Sequence, residues 1–286
     1  MAVKRIFLAA FLFASALWLS PAAIAADTAS GYFRLGEQRI EPRHAIAVQT
    51  DRESTPGETE TWVYLSVSSF DAAPVASAFD PDDGVREQAS DEPSGSYVKL
   101  CVSAEGHECG LDFAHRGPTR NFSSGGHGEL ALAAQTPQRI AGTFKLPEAE
   151  DFFEETYQFD LTFDVAITPP PGTALPAGGG EPGKAYQVYL AALAQGDFDV
   201  LRELADESGA YRFPEDDPTS AKETLKSLRD EQPVAAEISH GRVNGDQAVL
   251  WVKGEDRDDI MRAGRVLMKR TDAGWRFEES ELKAVD

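Results

Sequence analysis

A segment rich in proline and glycine, residues 168–183, constrains the fold of this 286-residue chain more than any other feature. It reads TPPPGTALPAGGGEPG and holds ten Pro or Gly in sixteen residues, with Glu181 as its only charge. Proline removes a backbone donor and glycine raises the entropy cost of ordering, so we expect neither a helix nor a strand to run through it. The segment therefore predicts a semi-extended linker between two domains, residues 27–167 and 184–286.

Before the linker, the pattern is that of short β-strands. Apolar and polar residues alternate in TWVYLSVSSF, SYVKLCVSA, GELALAA, RIAGTFKL and YQFDLTFDVAI, with Gly, Pro and Asp between these runs. Two further strands are expected in GYFRLGEQRIEPRHAIAVQT, around a turn at Gly36. Six or seven such strands predict an all-β domain, either a sandwich or a barrel. Residues 71–96 interrupt the strands, and we expect them to carry one short helix and a mobile loop.

After the linker, the pattern changes to helices. In KAYQVYLAALAQGDFDVLREL, apolar residues recur at helical spacing up to Gly196, and Asp197 is placed to cap a second helix. A third helix is predicted in SAKETLKSLRDEQ, where Ser220 and Glu223 have the spacing of a capping box.

Two antiparallel hairpins are predicted to complete this half. Asn244-Gly245 separates AEISHGRV from QAVLWVKG, and Asn-Gly between two alternating runs is the strongest short-range hairpin signal. Residues 272–274 separate GRVLMKRT from WRFEESELK in the same way. Helices followed by antiparallel strands predict an α+β domain over residues 184–286.

This C-terminal half resembles the nuclear-transport-factor-two-like family, which includes ketosteroid isomerase. The resemblance is carried by AYQVYLAALAQGDFDVLREL, VNGDQAVLWVKG and RVLMKRTDAGWRFEESEL. It implies a cone, in which helices pack on a curved antiparallel sheet around an apolar pocket. It also implies contact with a protein partner, or a homodimer, through the C-terminal sheet. It implies no single activity, because this fold hosts enzymes, carriers and assembly modules.

Six side chains are candidates for a ligand pocket in such a cone. An isomerase-type enzyme would need an acidic base and an oxyanion donor there, and none of the six lies in a motif that assigns it a catalytic role. A core tyrosine or a structural histidine is the commoner finding at such positions. The polar candidates are Tyr189, Tyr211 and His240, and the aromatic side chains expected to line or fill the pocket are Trp251, Trp275 and Phe277.

The two cysteines of the chain lie in KLCVSAEGHECGLDFAH. As ligands, Cys101, His107, Cys109 and His115 would complete a zinc shell, but their spacing matches none of the usual zinc patterns. As a hairpin that turns near Glu105, the segment places the two cysteines directly across from each other. In an oxidising compartment this arrangement predicts a disulfide, with a metal site or free thiols as the alternatives.

The first 25 residues are expected to form a signal peptide. Lys4 and Arg5 precede a 14-residue apolar run, and Ala23-Ile24-Ala25 matches the A-x-A cleavage pattern. The run is shorter than the roughly 20 residues that span a bilayer as a helix, so an uncleaved anchor is the weaker alternative. We therefore expect a periplasmic or extracellular protein with no membrane span after the leader is removed.

Acidic residues outnumber basic ones by 48 to 27, which gives a net charge of −21. Such a chain repels phosphate backbones, so we expect no nucleic-acid partner. Residues 79–84, FDPDDG, have the composition of a calcium loop but miss its register. No nucleophile elbow, phosphate-binding loop or dinucleotide fingerprint is present in the sequence, and no cofactor is implied.

These features together predict an exported, non-enzymatic binding or assembly module of the bacterial envelope. The alternative is an enzyme or carrier that holds a small ligand in the apolar pocket of the C-terminal cone.

Overall fold

The computed structural model describes residues 27–52, 58–117, 120–125, 127–207, 211–214 and 217–285, so the expected signal peptide lies outside the described residues. Strands predominate, and they form two sheets, of ten and five strands. The predicted β-rich fold is thereby confirmed, whereas the division into two independent domains stays a prediction. None of the helices in the described part of the chain has both the length and the apolar content needed to cross a membrane.

The ten-stranded sheet takes up the first half of the chain. Its order is β2-β1-β10-β3-β4-β5-β6-β7, with β9 paired to β10 and β8 paired to β9. The strands are β1 Thr28–Leu35, β2 Gln38–Ile40, β3 His44–Asp51, β4 Thr59–Ser66, β5 Tyr97–Ser103, β6 Glu108–His115, β7 Arg120–Ser124, β8 Glu129–Thr136, β9 Arg139–Phe152 and β10 Glu155–Thr168.

This sheet folds over on itself, so that its two halves share one core. Strand β10 meets β3 in parallel only at Ile167 and Thr168, and the two halves diverge from that corner. Phe33 of β1 stacks on Phe113 of β6 with the ring centroids 4.4 Å apart, and lies 5.7 Å from Phe159 of β10. Buried residues of both halves form one apolar core, since alternate residues of each strand point inward.

The predicted disulfide between Cys101 and Cys109 is confirmed, with the two Cα atoms 5.0 Å apart. The predicted register is wrong, however. Cys101 pairs with Gly110, while Val102 pairs with Glu108, so Cys109 is the extra residue of a β-bulge. Without this shift, the alternation of β6 would turn Leu111 away from the core, where it is 2% exposed.

Two short helices, rather than the one predicted, cover the outer face of β3 and β4. They are α1 Ala72–Ser77 and α2 Pro81–Gln88, and a 3₁₀ turn follows at Pro93–Gly95. Val75 and Val85 are fully buried against this face, in a small apolar cluster that includes Tyr64.

The five-stranded sheet follows in the second half, with helices on one face. Its order is β11-β12-β13-β14-β15, and all neighbours are antiparallel. Both predicted hairpins are confirmed. The elements are β11 Thr173–Leu175, α3 Gly180–Gln195, α4 Phe198–Leu204, α5 Pro218–Glu231, β12 Glu237–Asn244, β13 Gln247–Glu255, β14 Met261–Thr271 and β15 Gly274–Ala284.

Regular structure begins earlier than predicted, inside residues 168–183. Strand β11 pairs with β12 as an edge strand, and α3 starts at Gly180. The expectation that no strand or helix runs through this segment is therefore wrong. The three consecutive prolines precede β11, and Pro182 lies in the first turn of α3, where the missing N–H has no intrahelical partner to lose.

One of the two predicted helix caps is correct. Asp197 caps α4 by accepting hydrogen bonds from the backbone N–H groups of Asp199 and Val200. The capping box at Ser220 is wrong, because α5 begins at Pro218 and its cap is Asp217. Aspartate at the cap followed by proline is a strong start signal, and here it lies upstream of the predicted one.

Candidate functional site

The two faces of the five-stranded sheet differ in what covers them. Successive residues of a strand point to opposite faces. On β13, Leu250 and Val252 belong to the apolar core beneath the helices, whereas Trp251 points to the face turned away from them. The predicted pocket concerns the first of these faces.

The face beneath the helices is filled by aromatic rings. Tyr189 of α3 and Phe277 of β15 stack with their centroids 4.1 Å apart, and Tyr186 lies 6.4 Å from Phe277. The three side chains are at most 1% exposed. Burial raises the pKa of Tyr186 and of Tyr189, which keeps both hydroxyls neutral. The structure therefore places two ligand-pocket candidates, Tyr189 and Phe277, in the packed core.

The remaining candidates are not brought together at this core. Tyr211 is 81% exposed. Trp275 is half-buried at the edge of the core, with the Arg270 guanidinium 6.0 Å from its ring centroid. His240 and Trp251 lie on the opposite face of the sheet, where their rings stack 4.5 Å apart and almost parallel.

A β-bulge explains why His240 lies on the face turned away from the helices. Simple alternation would put it on the same face as Ile238, which is buried beneath the helices. In the structure, Ile238 pairs with Val252 and His240 pairs with Trp251, so Ser239 is an extra residue. The inserted residue reverses the alternation from there on and turns His240 away from the helices. Trp251 points the same way by simple alternation with Leu250 and Val252, so the structure places neither residue in the predicted pocket of the cone.

A cleft of about 530 Å³ lies between this second face and the ten-stranded sheet. Its volume falls within the ~300–1,000 Å³ range of small-molecule sites. Trp251 and Arg265 line it from the five-stranded sheet, and Trp62 and Tyr64 line it from β4. Pro170 and Pro171, in the connection between the sheets, close one side.

The wall from the ten-stranded sheet centres on Lys99 of β5, which pairs in register with Tyr64. The Lys99 Nζ atom lies 4.2 Å from the centroid of the Trp62 ring, a cation–π contact. It also lies 2.7 Å from Asp82 Oδ2 and 2.9 Å from Asp112 Oδ2. The Tyr64 hydroxyl donates to Asp82 Oδ1 at 2.6 Å, so this wall is tied together by one lysine and two carboxylates.

The charge states of this wall follow from its contacts. Burial opposes the positive charge of Lys99, but the hydrogen bonds and charges of Asp82 and Asp112 outweigh it and raise the pKa of Lys99. Burial, reinforced by the charge of Asp82, raises the pKa of Tyr64. Lys99 is therefore charged and Tyr64 neutral at physiological pH.

Polar contacts connect the two sheets across the cleft. Arg242 Nε donates to Asp51 Oδ2 at 2.5 Å, and Arg265 Nη2 donates to Asp80 Oδ2 at 2.7 Å. Asn244 Nδ2 donates to the backbone oxygen of Ser77 at 3.2 Å. The apolar clusters of the described residues each draw on one sheet only. Ion pairs, rather than apolar packing, therefore hold the two walls of the cleft.

The acidic segment at residues 79–84, whose role the sequence leaves open, supplies part of this junction. Asp80 caps α2 by accepting a hydrogen bond from the backbone N–H of Asp82 at 2.9 Å. Burial pushes the pKa of Asp80 upward, but its hydrogen bond and ion pair with Arg265 outweigh that and hold the pKa below its usual value of 3.8. Arg265 also binds Glu281 of β15 at 2.8 Å.

One group of metal-ligand residue types occurs beside the cleft. Ligand atoms of Glu60, Cys101 and Cys109 lie within 4.8 Å of one another. The two sulfurs are joined in the disulfide, so neither is a free thiolate. The Trp62 indole N–H donates to Glu60 Oε1 at 2.9 Å. We therefore assign no metal here.

Sequence reasoning missed most of the cleft, although one signal was present. Alternation in TWVYLS puts Trp62 and Tyr64 on one face of β4, and a second large polar or aromatic residue on the neighbouring strand would mark an exposed surface there. Lys99 is that residue. The partners from the second sheet, Arg242 and Arg265, carry no local signal.

Comparison with known proteins assigns neither a family nor a function to the chain. No protein-family model matches the sequence, and neither does any curated protein. The resemblance of residues 184–286 to the nuclear-transport-factor-two-like family stays a prediction, and the function has to be argued from the cleft.

Proposed function

We propose that this protein is an exported binding module of the cell envelope, and that it holds a small ligand in the cleft between its two sheets without changing it chemically. The observation that carries the proposal is the cleft of about 530 Å³, which has a tryptophan from each sheet, Trp62 and Trp251, in its lining. Ligand sites are usually concave and combine apolar surfaces with fixed polar groups, and here the two aromatic rings lie among charged side chains from both sheets.

The charge states in the cleft favour binding over catalysis. A general acid or base works best with a pKa near the working pH. Here the pKa of Asp80 is lowered and those of Lys99, Arg265 and Tyr64 are raised, in each case away from neutrality. These groups keep fixed charge states over the physiological range, which suits the recognition of a ligand and not proton transfer.

Two further features support the proposal. The disulfide between Cys101 and Cys109 is of the kind that persists in oxidising compartments, in agreement with the expected signal peptide. Helices α3 and α5 share an apolar core with one face of an antiparallel sheet, as the cone fold requires. Export and the cone fold are both part of what we propose.

The alternative, a ligand beneath α3, is less well supported. It requires Tyr189 and Phe277 to separate, although they are buried and stacked at 4.1 Å. Aromatic pairs of this kind contribute about 0.5–1.5 kcal/mol beyond the burial of their area.

A thermal-denaturation screen tests the proposal. Oxidised protein without residues 1–25 is heated with sugars, amino acids, dipeptides, organic acids and polyamines. We expect one class to raise the Tm, because a ligand at 100 times its Kd adds about 2.7 kcal/mol to the free energy of unfolding. Trp62→Ala should abolish this shift, and Trp275→Ala, outside the cleft, should retain it relative to its own Tm.

Two outcomes would overturn the proposal. One is a ligand whose shift survives Trp62→Ala but disappears in Phe277→Leu, which would move the site beneath the helices. The other is the absence of any shift that depends on Trp62.

A further inference from the structure

The lining of the cleft is close to electroneutral, although the chain carries a net charge of −21. Acidic and basic side chains contribute to it in nearly equal numbers. A free anion would meet the repulsion of the whole chain, and a free cation would find no surplus of unpaired acids. The local balance therefore favours an uncharged ligand.

Most charged side chains of the cleft are already paired with one another. Arg242 pairs with Asp51, Arg265 with Asp80, and Lys99 with Asp82. A charged ligand would have to break such pairs, and separating a partly buried pair leaves an uncompensated charge. The guanidinium groups still have N–H donors beyond those used in the ion pairs, and the carboxylates still have lone pairs. These atoms suit hydroxyl groups, which both donate and accept.

Flat apolar surfaces lie among these polar groups. Trp62 is half-buried, and Phe79, Pro81 and Pro170 also line the cleft. The C–H faces of a sugar ring pack on such surfaces, while its hydroxyls bond at the ring edge. An amino acid or dipeptide would use the apolar surfaces but would bring two free charges into a site whose acidic and basic side chains are mostly paired with one another.

Trp251 provides an independent observation that points to a ligand. The residue is 7% exposed, and its Nε1 atom is buried with no hydrogen-bond partner among the described residues. Buried donors without acceptors are rare, because each one loses its bonds to water without replacement. Trp62, by contrast, donates to Thr50 and Glu60. Trp251 therefore lines the cleft and carries, just beneath the lining, an indole N–H that lacks an acceptor in the described part of the chain.

The His240 ring, which stacks on Trp251, also carries a polar atom without a partner. The Ser239 hydroxyl lies 2.8 Å from His240 Nδ1 and 3.2 Å from the backbone oxygen of Trp251, and its single proton can be donated to either. The other ring nitrogen, Nε2, is buried with no hydrogen-bond partner among the described residues, and it donates or accepts according to the tautomer. Burial lowers the pKa of His240, which keeps the ring neutral. Hydroxyl groups, which both donate and accept, suit such a stacked pair.

On the basis of the binding cleft proposed above, we infer that its ligand is a neutral saccharide, packed on the part of the Trp62 ring that Lys99 leaves exposed and hydrogen-bonded by Arg242, Arg265 and, once its ring tilts towards the cleft, the indole N–H of Trp251.

Titration calorimetry with defined trisaccharides tests this inference. The probes are maltotriose, cellotriose and N-acetylated chitotriose, with deacetylated chitotriose as a cationic match and trigalacturonate as an anionic probe. We expect at least one neutral trisaccharide to bind saturably and each charged one to bind at least tenfold more weakly. Binding should also change the tryptophan fluorescence, since two of the three tryptophans beyond the leader line the cleft.

Four variants locate the sugar. Trp62→Ala should weaken binding at least tenfold, Trp62→Phe should restore most of the affinity, and Trp275→Ala should leave it unchanged. Trp251→Phe removes the indole N–H together with part of the ring and should weaken binding about fivefold to tenfold, the loss of one hydrogen bond. Unchanged affinity in both Trp62→Ala and Trp251→Phe would overturn the inference.

A hexasaccharide of the same linkage as the bound trisaccharide distinguishes two sources of the ligand, a short free sugar and a longer glycan. Equal affinity shows that the cleft holds a short free sugar, and higher affinity for the longer chain shows a segment of a glycan. Either result supports a saccharide ligand.

The inference and the proposed function fail in different ways. If no neutral trisaccharide binds while the thermal screen yields a Trp62-dependent ligand of another class, the saccharide inference is wrong and the binding function stands. A charged trisaccharide that binds more tightly than its neutral match has the same consequence. If neither experiment yields a Trp62-dependent ligand, both are wrong.

Discussion

The two faces of the five-stranded sheet come from the same strands but differ in every property that matters for binding. One face is apolar, with Tyr189 and Phe277 stacked at 4.1 Å beneath α3. The other presents a row that runs His240, Trp251, Arg265 and Glu281 across four strands, and the last three of these residues line a cleft of about 530 Å³. Because successive side chains point to opposite faces, one face of the sheet packs into the core and stabilises the fold, and the other is open for ligand recognition.

The energetic contrast follows from the contacts. A fully buried aromatic or aliphatic side chain contributes about 1.5–3 kcal/mol by removal from water. An ion pair with partly exposed partners contributes only about 0–1 kcal/mol. The helix face is therefore hard to open, whereas the cleft is held by pairs such as Arg242–Asp51 and Arg265–Asp80. The cleft is already open, so a ligand that leaves these pairs intact enters it without separating any core contact.

The largest effect is expected on the helix face. Phe277→Ala should lower the free energy of unfolding by about 3–5 kcal/mol, because it leaves a cavity beside Tyr189. Urea denaturation followed by far-UV circular dichroism measures this change. Trp275→Ala, at the half-buried edge of the core, should lower the free energy of unfolding by less. A loss below about 1 kcal/mol for Phe277→Ala would show that the space is an open pocket, which would remove the contrast between the two faces.

The disulfide should stabilise the ten-stranded sheet alone. Replacing both Cys101 and Cys109 by serine should lower the free energy of unfolding by about 2–3 kcal/mol, since the closed loop is short. If the two sheets unfold separately, only the transition of the first half should move in a urea titration, which also tests the predicted division into two domains. Equal movement of the whole unfolding curve would contradict independent domains.

The ion pair between Asp80 and Arg265 should give a smaller, pH-dependent effect. Because the pKa of Asp80 is lowered in the folded protein, its contribution is present above the usual value of 3.8 and is lost as pH falls through the folded value. Asp80→Asn keeps a competent helix cap and should cost about 1 kcal/mol at neutral pH.

Unfolding of wild type and Asp80→Asn at several pH values checks this prediction. The difference between the two proteins should shrink towards zero in strong acid. A difference that stays constant across the acid range would mean that the charge of Asp80 contributes nothing to the junction between the sheets.

The smallest effect is expected at Trp251. Trp251→Phe in the ligand-free protein should change the free energy of unfolding by less than about 0.5 kcal/mol, because the loss of apolar area is offset by removal of an unpaired buried donor. Trp62→Phe, which removes an N–H that has hydrogen-bond partners, is the matched control and should lower the free energy of unfolding by more. A loss above about 1.5 kcal/mol at Trp251 would show that its N–H has a partner in the free protein.

Local signals in the sequence were enough to predict many elements. The Asn244-Gly245 turn, the Asp197 cap and the Cys101–Cys109 disulfide each depend on residues close together in the chain, and each is confirmed. The β-rich fold followed from alternation, because a strand with one buried face has a period of two.

The faces and the cleft could not be predicted in the same way. Bulges at Cys109 and Ser239 each reverse the alternation, and nothing in the local pattern marks the extra residue. The Arg242–Asp51 and Arg265–Asp80 contacts join residues 191 and 185 positions apart. Such pairs depend on how the two sheets meet, which no local periodicity encodes.

The most direct test of the central claim is hydrogen–deuterium exchange with and without the tightest-binding trisaccharide. If the ligand lies between the sheets, exchange should slow in β4, β5 and β14 and stay unchanged in α3. Slower exchange confined to α3 and β15, with the strands of the cleft unchanged, would contradict the account.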